Sequence, residues 1–343
     1  MKTYLMKDSG KGRVEHAAVP EPRAGEVRIR TAFTGICGSD LHAYMGTHVR
    51  RQLPLVPGHE ACGVIDAVGS DVQGLSAGSR VTVLPELGCG SCYACASGWP
   101  NVCGSKTLLG TDKWPGAFAE YFCAPAINVI ELPAGMSLKL AALTEPVAVA
   151  VHAIRQAGFC KGQSMLLFGA GGIGSVILAL CKILGASHTT VCDLKHFNLG
   201  VATAQGADLV LNTADVPASD QFEKLKLPWA DAVFIAASHH DLINQSFKLA
   251  RPHGVIVLVG QFNKPGVIDI DKSRLKEQQI VGSFTYTLDD FREAVRVLHA
   301  HPESFLPLIT KEISLDEVDE TVQAMIAGSV DAIKIVARAE EKV

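Results

Sequence analysis

The sequence predicts an α/β protein in two parts, a strand-rich unit followed by a parallel sheet with helices on both faces. Three observations carry that reading. Aromatic residues make up only 6% of the chain, aliphatics are plentiful, and 32 glycines supply many tight strand–helix turns. Up to about residue 150 the pattern is one of short strands and turns; beyond it, strands alternate with helices. At 343 residues there is room for two separate cores.

In the first part, Val27–Thr31 and Gly63–Val68 alternate apolar and polar residues, and Arg80–Leu84 follows a Gly/Ser turn. These read as strands of a compact, barrel-like unit. In the second part, strands are expected at Met165–Phe168, Thr189–Cys192, Leu209–Leu211, Ala232–Ile235, Val255–Val259 and Ile280–Phe284, with helices such as Leu242–Ala250 between them. Six strands in βα alternation imply a ligand crevice at their carboxyl ends. The tail carries helices at Leu288–Ala300 and Leu315–Ala327 and a strand at Ile333–Ala337. This tail is expected to return to the first domain, giving domains of 1–150 with 285–343, and of 151–284.

A net charge of −4 with dispersed charges and no Lys/Arg cluster argues against nucleic acid as a partner. No apolar run reaches the roughly 18 residues of a membrane span, and Ile173–Leu184 is interrupted by Gly174, Ser175 and Lys182. The first residues reach charge before an apolar segment forms, so no secretory signal is expected. Ten cysteines then point to metal ligands and reduced thiols in the cytoplasm. Cys62, Cys123, Cys160, Cys181 and Cys192 sit among apolar residues and are expected to be small buried hydrophobes.

Cys89, Cys92, Cys95 and Cys103 follow C-x2-C-x2-C-x7-C. Four closely spaced thiolates suit a tetrahedral zinc at about 2.3 Å per Zn–S bond and leave no open position, so this site is structural. A catalytic metal must lie elsewhere. Cys37, His59 and a carboxylate would give three protein ligands and one open position. The carboxylate is either Glu60 or Glu145. His59 and Glu60 are neighbours, and neighbours in a regular strand face opposite ways. Either the backbone bends there or only one of them binds directly.

After Met165–Phe168 comes Gly169-Ala170-Gly171-Gly172-Ile173-Gly174, which opens an apolar helix, and a second strand ends at Asp193. In that context the glycine turn reads as a dinucleotide site. Gly169 permits the turn, Gly171 the approach of pyrophosphate to backbone, and Gly174 close helix–strand packing, with the phosphates at the helix start. Asp193, followed by Leu194, accepts hydrogen bonds from a ribose and repels a 2′-phosphate, which favours NAD.

With these motifs in order, the sequence resembles the zinc-dependent medium-chain dehydrogenases. The matching segments are Gly35–His42, Gly58–Gly63, the four-cysteine lobe, Glu145-Pro146 and the glycine turn with Asp193. Glutamate at 145, where the alcohol-dehydrogenase branch has cysteine, is similar to the polyol branch of sorbitol and xylitol dehydrogenases. The resemblance implies a GroES-like catalytic domain and a Rossmann domain, two zinc ions and NAD per subunit, and a homo-oligomer, tetramer or dimer. It implies hydride transfer between NAD and a secondary hydroxyl of a polyol or sugar-derived substrate, with zinc bringing the hydroxyl pKa towards neutrality. Ser39 would take the hydroxyl proton and His42 pass it to solvent. Phe284-Thr285-Tyr286 stands where sorbitol dehydrogenases carry Phe-Arg-Tyr, and the loop Gly110–Ala117 lacks the usual Asp-Gly-Gly. Lys113 and Trp114 are therefore expected either to line an unusual pocket or to decorate an exposed loop. An alternative substrate is an amino alcohol or a sugar acid, with Lys113 or Arg50-Arg51 holding the carboxylate. A zinc- and NAD-binding protein without turnover is a more distant alternative.

Overall fold

The computed structural model describes residues 1–262 and 264–339. The chain divides into two compact units, Met1–Glu145 with Thr287–Val343, and Pro146–Tyr286. The first changeover falls inside the helix Thr144–Ala157, a few residues before the change of rhythm read from the sequence.

The first unit is built on a seven-stranded sheet. Six strands run in the order Ile309–Ser314, Lys334–Arg338, Glu26–Gly35, Glu60–Val68, Arg80–Val83 and Val129–Glu131, and Tyr121–Pro125 pairs with Glu26–Gly35. Only the first two are parallel to each other. Glu26–Gly35 buries Val27, Ile29 and Thr31 on one face, as the alternation requires. Val27 and Ile29 pack with Ile65, Val81, Val83 and Phe122 in one cluster, while Tyr4, Met6, Ile36, Phe118 and Ile335 form another. The tail begins with the helix Leu288–Ala300, capped by Thr287 and Asp290 in a reciprocal box. The expected helix Leu315–Ala327 divides into a 3-10 turn, Leu315–Glu317, and a helix, Val318–Ile326. The last strand, Lys334–Arg338, pairs antiparallel with Glu26–Gly35, setting Val336 opposite Gly35.

The second unit is a six-stranded, wholly parallel sheet: Ser164–Phe168, His188–Asp193, Leu209–Asn212, Ala230–Ile235, Ala250–Leu258 and Gln279–Gly282. Its spatial order is third, second, first, fourth, fifth, sixth. The direction of winding reverses between the first and fourth strands, which opens a crevice above their carboxyl ends. Leu166, Phe168, Val233, Ile235, Ile256 and Phe247 form its core. Full burial of each such side chain contributes about 1.5–3 kcal/mol.

Among the five cysteines expected inside, Cys62, Cys181 and Cys192 are buried, and burial pushes the Cys62 and Cys192 thiols up to about 12. Cys123 is half-buried. Cys160 is exposed, because it sits in a turn between Gly158 and Gly162, both at positive φ. Trp114 is neither pocket-lining nor an exposed decoration. Its ring is 7% exposed in the core, and Nε1 donates to the Cys123 carbonyl at 2.8 Å, while Lys113 beside it is exposed. No helix among the described residues is long and apolar enough to cross a membrane.

Candidate metal centres and dinucleotide site

The helix Gly38–Tyr44 starts at Cys37, whose extended backbone breaks from the strand Glu26–Gly35. Asp40, fully buried, turns back and accepts the Cys37 amide on Oδ2 at 3.0 Å. Its Oδ1 accepts Arg51 Nη1 at 2.6 Å and lies 3.6 Å from His59 Nδ1. Burial alone would raise the Asp40 pKa, but His59, Arg51 and the Cys37 amide outweigh it and hold the carboxyl well below its ordinary range.

His59 is not part of the sheet. Gly58 has φ +96, and a Cβ there would meet Phe118 N at 2.8 Å, so glycine is required at that bend. The strand starts one residue after His59, at Glu60. With that bend, Cys37, His59 and Glu60 each bring one ligand atom to within 4.8 Å of the others. Glu60 pairs with Gly35, where any Cβ would collide with its carboxylate.

The Glu60 carboxylate is 1% exposed and is held by Lys334, whose Nζ donates to Oε1 at 2.7 Å, to Oε2 at 2.8 Å and to the Ile36 carbonyl at 3.2 Å. Burial works against the Lys334 charge, but Glu60, Cys37 and Glu145 together raise its pKa. Glu145 stands in the first turn of the helix Thr144–Ala157, outside the 4.8 Å set but within electrostatic reach of Lys334. Ser39 Oγ is buried without a hydrogen-bond partner among the described residues. His42, on the same helix, places Nδ1 3.4 Å from Thr47 Oγ1.

A thiolate, an imidazole and a carboxylate make a donor set suited to catalytic zinc. Asp40 Oδ1, 3.6 Å from His59 Nδ1, is too distant for a hydrogen bond and acts on the ring as a neighbouring negative charge. His59 Nδ1 has no hydrogen-bond partner among the described residues, and without a metal Asp40 and Cys37 hold its pKa up, to about 10, against burial and Arg51. The residues fit the ion.

In the second cluster, Cys89, Cys92, Cys95 and Cys103 also gather within 4.8 Å. Cys92 caps the short helix Tyr93–Ala96, and the strand pair Glu86–Leu87 with Thr107–Leu108 closes the base of the lobe. Cys89 and Cys95 Sγ are 4.0 Å apart, and Cys92 and Cys103 Sγ 3.7 Å apart. A tetrahedron with bonds of about 2.3 Å has edges of about 3.8 Å. Backbone amides of Ser91 and Cys92 lower the Cys89 thiol to about 6, while Cys95, against the Gly90 amide, is raised to about 11 by burial and the neighbouring sulfurs.

The glycine turn joins Ser164–Phe168 to the helix Gly172–Ile183, with Gly171 at the N-cap and Ile173 in the first turn. Gly169 has φ +90, a Cβ on Gly174 would strike the Gly169 carbonyl, and a Cβ on Gly171 would meet only open space. That is the pattern of a tight turn, a close helix approach and room for a ligand. Asp193 ends its strand beside this turn, accepting Ala170 N at 2.7 Å, Lys195 N at 2.8 Å and Asn198 Nδ2 at 3.1 Å.

Sequence reasoning gave Asp40 no role and missed Lys334, and it offered Arg51 to a substrate carboxylate. Arg51 is 5% exposed and spent on Asp40, so that offer is withdrawn. Lys334 had a readable signal, a single cation in the apolar run Ile333–Ala337.

The chain matches two family models, an alcohol dehydrogenase GroES-like domain over residues 23–134 and a zinc-binding dehydrogenase over residues 172–300. It is 30% identical over 336 residues to D-xylulose reductase A of Aspergillus oryzae, covering 95% of this chain and 94% of that protein. A crystal structure of the alcohol dehydrogenase RspB from Escherichia coli CFT073, complexed with NADH, superposes with a TM-score of 0.90 at 30% identity, covering 99% of both chains. Galactitol-1-phosphate dehydrogenase from Escherichia coli gives a TM-score of 0.92 at 28% identity, over 99% of this chain and 100% of that one.

Proposed function

This chain belongs to the zinc-dependent medium-chain dehydrogenases, oxidoreductases that act on CH–OH donors with zinc and NAD(P), and we propose that it oxidises a secondary alcohol of a polyol or sugar-derived substrate with NAD. The observation that carries this reading is the meeting of Cys37, His59 and Glu60 next to Ser39. The first unit serves as the GroES-like catalytic domain and the second as the Rossmann domain that holds the cofactor.

When bound, zinc supplies a Lewis acid for the substrate hydroxyl and the nicotinamide accepts the hydride. The chain's own residues do the rest. Cys37, His59 and Glu60 hold the metal, with Glu145 close enough to Lys334 to serve as a reserve carboxylate. Asp40, itself held by Arg51, sets a negative charge beside the His59 ring. Ser39 Oγ takes the hydroxyl proton and His42 passes it towards solvent; the support is a buried, unpartnered hydroxyl one turn from a half-exposed imidazole. The start of the helix Gly172–Ile183 receives the pyrophosphate, and Asp193, with Leu194 after it, selects the unphosphorylated ribose. We further assign a structural zinc to the four cysteines, making two per chain, and place the protein in the cytoplasm as a homo-oligomer.

Of the cations that a sugar acid would need, Arg51 is taken by Asp40, while Arg50 and Lys113 are exposed. The test is NADH formation from NAD with xylitol, sorbitol, threonine and gluconate in turn. Xylitol or sorbitol is expected to be turned over best; turnover of threonine or gluconate alone would sink the polyol reading.

A further inference from the structure

One titratable side chain near the catalytic pole has no part in the chemistry above. His48 lies in the segment after the helix Gly38–Tyr44 and is half-buried. Its Nδ1 accepts the backbone N–H of Arg50 and of Arg51, each at 3.1 Å. Two amides aimed at one ring nitrogen leave no place for a proton there, so the neutral ring carries its proton on Nε2. Becoming an imidazolium would break both bonds. The charged groups around the ring are Arg51, Asp40, His42 and His59; burial, Arg51 and the two histidines push its pKa down to about 4, with Asp40 opposing them. Those same four residues belong to the pole that holds Cys37 and Ser39. Arg51 ties the turn to that pole through its 2.6 Å bond to Asp40. No protein group among the described residues takes the Nε2 proton.

The geometry points to His48 as a substrate-reading residue, whose fixed Nε2–H donates to an oxygen of a hydroxyl next to the reacting carbon. The inference rests on the alcohol chemistry proposed above and narrows its substrate class. A group that can only donate favours an acceptor oxygen, gains nothing from a plain alkyl neighbour, and cannot pair with the ammonium of an amino alcohol. It therefore selects polyhydroxy substrates.

The test compares xylitol with 2-butanol as probes in the zinc-loaded full chain. His48→Asn keeps a side-chain oxygen that can accept the two amides, as in an Asx turn, but removes the distal donor; His48→Leu removes both. Both variants are expected to lower the xylitol-to-2-butanol ratio of kcat/KM about five- to twenty-fold, mainly through KM for xylitol. If His48→Asn keeps the wild-type ratio while His48→Leu loses it, the ring only forms the turn and the inference falls. Imidazole nitrogen NMR gives a second arm independent of turnover. The His48 signal should report a neutral Nε2–H ring from pH 5.5 to 8; an Nδ1–H tautomer, or titration in that window, would overturn the assignment. Wild-type protein that forms NADH from neither probe refutes the alcohol chemistry itself, a failure separable from loss of selectivity in the variants.

Discussion

Lys334→Met tests the buried pair on which the metal site is built. Lys334 and Glu60 side chains are 7% and 1% exposed, joined by contacts of 2.7 and 2.8 Å. Removing the ammonium leaves a carboxylate buried and unpaired, which costs about 3–5 kcal/mol. The methionine fills much the same volume, so cavity formation adds little. In the zinc-loaded protein the metal neutralises Glu60, and the loss should shrink to about 1–2 kcal/mol, that of an ordinary core change. The difference between the two losses, about 2–3 kcal/mol, is by the thermodynamic cycle the gain in zinc affinity, roughly a hundredfold.

The assay is urea unfolding of zinc-loaded protein and of protein stripped at the catalytic site, with zinc affinity measured by competition against a chelating dye. Glu60→Gln added to Lys334→Met should recover most of the loss in stripped protein, since the uncompensated charge is gone. Equal destabilisation of both forms, with unchanged zinc affinity, would show that Glu60 does not face the metal.

Three further outcomes follow from the same structure. Elemental analysis of fully loaded protein should give about two zinc per chain, and chelators should remove the three-residue site first, abolishing activity before the fold is lost; one zinc in loaded protein contradicts the two-cluster assignment. Asp193→Ala should weaken NAD about ten- to a hundred-fold and narrow the NAD–NADP gap; unchanged dissociation constants for both would remove Asp193 from the ribose. Asp231 accepts Ser164 N and Oγ at 2.8 Å and Arg251 Nε at 2.6 Å, and although burial opposes it these bonds lower its pKa. With Arg251 39% exposed, Asp231→Asn should cost about 1–2 kcal/mol. A depressed carboxyl stabilises above its unfolded pKa of about 4 and loses that contribution as pH falls through the folded value. The gap between wild type and variant in urea melts should thus be full at pH 7 and close below pH 4; a gap constant with pH would refute the charge-based account.

The parallel sheet was legible because its central strands Ser164–Phe168 and Ala230–Ile235 are buried on both faces and read as apolar runs. Met165–Phe168 and Ala232–Ile235 are nearly the whole of the observed strands. The start of the first was missed where a polar residue enters the ladder: Ser164 is bonded through its amide and hydroxyl to Asp231, far along the chain. Trp114 was illegible for a different reason. Its loop is rich in Gly, Pro and charge, the composition of a surface turn, yet Gly110 and Thr111 amides both bond the Trp114 carbonyl and fold the indole inward. Such a choice of side depends on partners distant in sequence. The exposure of Cys160 was readable, since glycines at 158 and 162 mark a turn that apolar neighbours alone do not reveal.

The same division runs through the metal site. Residue types and order were enough to nominate Cys37, His59, Glu60 and Glu145, because few patterns bring thiolate, imidazole and carboxylate together without disulfides. They were not enough to choose between the two glutamates. The position of Glu60 beside Cys37 and His59 depends on backbone at two glycines: Gly58, whose positive φ takes His59 out of the strand, and Gly35, whose missing side chain leaves space for the Glu60 carboxylate across the ladder. Without the first, His59 and Glu60 would point to opposite faces; without the second, Glu60 could not lie flat against the neighbouring strand. Lys334 then arrives from the far end of the chain, two residues before Val336 pairs with Gly35, and sets a cationic partner 2.7 and 2.8 Å from the two carboxylate oxygens. The ligands are local in sequence, but the charge that makes burying Glu60 tolerable is 274 residues away.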